Sequence, residues 1–64
     1  MKCKLSEVIA KAELMNVQNI KAEDDSLKLT FENTDITEWF YDWCADRGWG
    51  VVLYAKHSIM KIWI

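Results

Sequence analysis

Residues 32–50, "ENTDITEWFYDWCADRGWG", hold three of the chain's four tryptophans together with a phenylalanine and a tyrosine, and their reading decides the fold. Helical spacing, 100° per residue, puts Ile36, Phe40 and Trp43 on one stripe, flanked by Trp39 and Cys44. Tyr41 falls outside that stripe, and Glu38, Asp42 and Asp46 form the opposite ridge. Asp35 followed three residues later by Glu38 fits a capping box at the start. Gly48 stands where a left-handed C-terminal residue belongs, and Arg47 suits the negative end of the helix dipole. The stretch is therefore an amphipathic helix that stops at Gly48.

Beyond that stop, "VVLYA" (51–55) and "SIMKIWI" (58–64) form a hairpin about Lys56-His57-Ser58. Val51, Leu53 and Ala55 line one side of its first strand, with Val52 and Tyr54 on the other. In the second strand Met60, Ile62 and Ile64 oppose Ile59, Lys61 and Trp63. An antiparallel sheet with one wet face alternates apolar and polar residues, and this hairpin is apolar on both sides. Two helices can cover one face, so the other is expected to meet a second polypeptide.

Before the aromatic helix lies another hairpin candidate. "LKLTF" (27–31) places Leu27, Leu29 and Phe31 on one side, and the polar run "EDDS" (23–26) makes its turn. Val17 to Ala22 is either the first strand of that hairpin or a prolongation of the helix before it. That helix is set by Leu5, Val8, Ile9, Ala12 and Met15, with Ser6 as N-cap and Glu7 and Lys11 as an i,i+4 pair on its outer face. Met1, Cys3 and Leu5 alternate with Lys2 and Lys4, the pattern of a short leading strand.

Sixty-four residues make one small α+β domain, residues 1–64. A hydrophobic fraction of 52% excludes a disordered chain. No apolar run approaches the roughly 20 residues of a membrane span, and "MKCKLSEVIAKAEL" is charged where a signal peptide is apolar. The expected location is the cytoplasm. Two cysteines, Cys3 and Cys44, without a CxxC pair and with the single histidine His57, supply neither a disulfide scaffold nor a zinc site. No cofactor or metal is expected. A net charge of -2 argues against a binder that relies on phosphate contacts.

Three groups of residues carry candidate function. Phe40 and Trp43 have core spacing, whereas Trp39, Tyr41 and Trp49 are hard to bury in so small a domain and are of the residue types that concentrate at interface hot spots. With Glu38, Asp42 and Asp46 they form an aromatic and acidic surface for a basic partner, which Glu23, Asp24 and Asp25 extend if the first hairpin turn lies nearby. Ile59 and Trp63 are the expected contacts of a homodimer. Cys44 with His57 suggests a thiolate and its base, but Cys44 stands near the C-terminal end of its helix, at the edge of the apolar stripe, rather than at the N-terminus that lowers a thiol pKa. No nucleotide-binding, hydrolase or metalloprotease motif is present, so the chain reads as no enzyme.

From Asp35 to Ile64 the chain also resembles the second half of the TusA/SirA-like sulfur-carrier family. There a helix opening with Asp-Ile, here Asp35 and Ile36, runs to a glycine, here Gly48, and a terminal hairpin, here ending "KIWI". The resemblance implies helices laid over a small sheet, and persulfide carriage by Cys3. The family's Cys-Pro-x-Pro motif is not present: Cys3 is followed by Lys4, Leu5 and Ser6, and the chain has no proline.

The sequence thus predicts two helices on one face of a four-stranded, mostly antiparallel sheet in the order α-β-β-α-β-β. The expected function is a non-catalytic, regulatory protein-interaction module, homodimeric, with a protein partner and no membrane. Domains of this size without cofactor motifs include products of phages and other mobile elements. The alternatives are a sulfur carrier using Cys3 and a single-stranded nucleic-acid binder using exposed tryptophan.

Overall fold

The computed structural model describes residues 3–54 and 58–64. Its elements are α1 (Leu5–Leu14), β1 (Asn19–Ala22), β2 (Ser26–Thr30), α2 (Thr34–Asp46), β3 (Val51–Tyr54) and β4 (Ile59–Trp63). The strands form one antiparallel sheet in the order β1-β2-β4-β3. The predicted α+β architecture is the one observed.

Register follows the alternation read from the sequence. Leu27 pairs with Ile62, Leu29 with Met60, Val51 with Ile62 and Leu53 with Met60, so these side chains share one face. Both helices lie on that face. Val8 and Ala12 of α1, Phe40 and Cys44 of α2, and Phe31 and Trp49 from the connections complete the buried cluster.

Both helices end on the same device. In α2, Gly48 has φ +78°, its N–H donates to Ala45 O, and the N–H of Trp49 donates to Cys44 O. In α1, Asn16 has φ +57°, its N–H donates to Glu13 O, and that of Val17 donates to Ala12 O. These paired bonds are Schellman motifs, which satisfy carbonyls a helix end otherwise orphans. The left-handed residue at position 16 also settles the alternative at Val17 to Ala22. The helix stops, and β1 begins at Asn19. Asparagine is among the few non-glycine residues that adopt this conformation readily.

The helix starts differ from expectation. Asn33 caps α2, its Oδ1 accepting from the N–H of Ile36 at 2.9 Å. Asp35 and Glu38 are therefore not a capping box: both lie inside the helix, because Asn33, two residues earlier, already caps it. Ser6 does not cap α1; the cap lies two residues earlier, at Lys4, with no side-chain bond. Of the expected leading strand, Met1 and Lys2 lie outside the described residues, Cys3 and Lys4 lie outside the sheet, and Leu5 opens α1, 44% exposed.

α2 is also rotated from the predicted stripe. Its buried line is Thr37, Phe40 and Cys44, with Ile36, Tyr41 and Trp43 half-buried to either side. Threonine does not read as core, but the Thr37 hydroxyl donates to Asn33 O at 2.8 Å, so burying it leaves no polar atom unpaired. This turn of the helix fixes which aromatics reach solvent.

Candidate aromatic and acidic interface

The clustered aromatics form a ladder. Phe31 and Phe40 have ring centroids 5.0 Å apart, Phe40 and Trp43 5.5 Å, and Trp43 and Trp49 5.6 Å in an edge-to-face arrangement. Such pairs contribute about 0.5–1.5 kcal/mol each beyond area burial. Trp49, expected at the surface, is only 8% exposed. The reversal of the chain at Gly48 folds Trp49 back onto Trp43, the hydrophobic contact that accompanies a Schellman motif.

Cations from α1 and from the C-terminal cap of α2 cover the outer side of the ladder. The Arg47 guanidinium lies 4.2 Å from the Trp43 ring centroid and 5.5 Å from that of Trp49. Lys11 Nζ lies 5.2 Å over Trp39 and 5.7 Å over Trp43. Arg47 also pairs with Glu7 of α1 at 2.7 Å. The expected Glu7–Lys11 pair is thus replaced by two contacts between helices. Indole faces and a guanidinium fork offer each charge a less hydrated partner than its helical neighbour.

What remains for a partner is narrower than the sequence implied. Trp39 is 46% exposed, and with Trp43, Asp42 and Asp46 it lines a shallow depression of about 250 Å³. Glu38 is exposed on the same outer side of α2. Tyr41 lies on the opposite flank, half-buried against the core; two positions along a helix is a turn of about 200°, so Trp39 and Tyr41 cannot share one contact. Glu23 does not extend the acidic surface. Its carboxylate binds Lys61 Nζ at 3.1 Å on the sheet face turned away from the helices. That bond holds the Glu23 carboxyl below its ordinary range and Lys61 above its own.

Ile59 and Trp63 lie on that same open face, Ile59 half-buried and Trp63 38% exposed. Trp63 is packed over Gly50, where an added Cβ would come within 2.6 Å of the ring. Glycine here supplies room for the indole.

Neither cysteine is activated. Burial pushes the Cys3 thiol up, partly offset by a backbone hydrogen bond, and pushes Cys44, fully buried in the core, up to about 12. A persulfide acceptor or nucleophile needs the opposite shift. His57, the suggested base for Cys44, lies outside the described residues, as do Ala55 and Lys56. Among the described residues, no group of three or more His, Cys, Asp or Glu side chains is arranged to hold a metal. None of the described helices is long and apolar enough to cross a membrane.

Sequence reasoning found the acidic and aromatic residue types but missed Lys11 and Arg47. Their spacing to the tryptophans, Lys11 especially, crosses from one helix to the other. Comparison with protein families, curated proteins and solved structures returned no match to this chain.

Proposed function

We propose that the protein is a non-catalytic interaction module that docks a basic segment of another protein on the outer face of α2. One observation carries this reading. Trp39 keeps 46% of its surface exposed beside Asp42 and Asp46, while the neighbouring Trp43 and Trp49 are absorbed by the core and by Arg47. α2 carries four carboxylates, Asp35, Glu38, Asp42 and Asp46, and no basic residue. An indole edged by carboxylates suits a lysine or arginine side chain, which gains both the ring face and the charge. Lys11 already occupies part of this position, so an ammonium is at home there.

The test is tryptophan fluorescence during titration with a lysine- and arginine-rich peptide. Binding should perturb the emission, weaken about tenfold in Trp39→Ala and in the Asp42→Asn, Asp46→Asn double variant, and decline with salt. Binding that survives both sets of changes, with the fold intact by circular dichroism, would refute the assignment.

A further inference from the structure

The pairing register assembles a feature on the open face of the sheet that net charge conceals. Lys21 pairs with Lys28, Lys28 with Lys61, and Lys61 with Val52, so three lysines stand side by side across adjacent strands, about 4.8 Å from one to the next. Like charges directly opposite one another destabilise a sheet. The four strands hold these three lysines and no Asp or Glu. Among the described residues, the row's one ion-pair partner is Glu23, which reaches Lys61 from the β1–β2 turn.

Aromatic rings flank the row. Tyr54, 44% exposed, lies to one side beside Ile59, and Trp63, 38% exposed, to the other. Trp63 rests on Gly50 and keeps its outer surface to solvent. From the register, Tyr54 and Trp63 stand four residues apart along the sheet and one strand across, about 14 Å. Beside Tyr54 a shallow depression of about 300 Å³ is lined by Lys28, Tyr54, Ile59 and Lys61.

We infer that this open sheet face binds single-stranded nucleic acid, the lysine row contacting phosphates and Tyr54 and Trp63 stacking bases. Charge complementarity selects this occupant. An isologous dimer centred on the same face would set one lysine row against its copy, adding repulsion to a row already crowded with like charge. A strand of phosphates relieves that crowding, and separated rings with ammoniums between them are the components of a sequence-tolerant single-strand platform. The net charge of -2 is unevenly placed: four carboxylates lie on α2, on the far side of the sheet, whereas Glu23, Asp24 and Asp25 edge the face at the β1–β2 turn beside Trp63. The Glu23–Lys61 pair competes with phosphate for one of the three ammoniums, so the affinity is modest.

The experiment is fluorescence anisotropy of a labelled octathymidylate titrated with the intact protein. With three phosphate contacts the logarithmic salt slope is about -2, so affinity falls about twentyfold between about 50 and 200 mM salt. Lys28→Gln should reduce the slope by about 0.7, and Tyr54→Ala should weaken binding roughly 5- to 150-fold. Trp39→Ala should change nothing, which separates this result from the α2 reading. Tyr54 is exposed and Lys28 half-buried on the open face, and circular dichroism verifies the fold. No binding at low salt, or binding indifferent to Lys28→Gln and Tyr54→Ala, overturns the inference. So does a salt-stable dimer by light scattering that Tyr54→Ala disperses, because a second copy then occupies the face.

Discussion

Replacing Arg47 with alanine tests how the C-terminal end of α2 is held, by its ion pair with α1 and by stacking on its own indoles. Arg47 contributes three contacts: the Glu7 carboxylate at 2.7 Å, and the rings of Trp43 and Trp49 at 4.2 and 5.5 Å. The ion pair is a surface one, its side chains 40% and 36% exposed, and such pairs contribute about 0.2–1 kcal/mol. Each cation–ring contact at a partly exposed site contributes about 0.5–1 kcal/mol. Arg47→Ala should therefore destabilise the protein by about 2 kcal/mol, most of it from the rings, whereas Glu7→Gln should lose only the ion pair. A domain of this size has a total stability of roughly 3–10 kcal/mol, so the arginine loss is a large share. With a urea m-value near the low end, about 1 kcal/mol per molar, the midpoint moves by about 2 M. The measurement is urea unfolding followed by circular dichroism, on both single variants and the double. In 1 M salt the Glu7 contribution should fade while the ring contribution persists. If Arg47→Ala lies within about 0.5 kcal/mol of Glu7→Gln, the double-mutant cycle assigns everything to the ion pair with α1, and the contacts of Arg47 with Trp43 and Trp49 contribute nothing to stability.

Two other perturbations probe the sheet and the core. Gly50→Ala puts a methyl group 2.6 Å from the Trp63 ring, too close for carbon atoms that prefer about 3.5–4.0 Å. It should destabilise the fold by about 1–3 kcal/mol and shift Trp63 emission; unchanged stability would mean that the indole swings away freely. Cys44, buried and held up to about 12 against an ordinary thiol value of 9.0, stays protonated in the fold while the unfolded thiol ionises. Its contribution to stability is complete below about pH 9 and declines as pH rises toward 12, by roughly 1.4 kcal/mol per pH unit. Cys44→Ala should remove that decline between about pH 9 and pH 10, and an identical slope in the variant would refute the assignment.

The order of six elements, the alternation of sides along the last hairpin and the stop at Gly48 were all legible in the sequence. Hydrophobic period and turn chemistry are local properties, and each of these features depends on residues a few positions apart. The caps were less legible because Asn33 and Asn16 look like ordinary loop residues until backbone geometry shows Asn33 accepting a bond and Asn16 turned left-handed. What reaches solvent depended on packing. α2 rolled onto Thr37, whose hydroxyl finds its acceptor within the helix, and Trp49 folded back into the core while Trp39 stayed out. Arg47 meets Glu7 across the whole of the intervening sheet-forming sequence, and Lys21, Lys28 and Lys61 become neighbours only through strand pairing. Periodicity assigns each side chain to a face of its own element. Which distant faces and charges come together is set by register and helix placement, and these arise when the core closes.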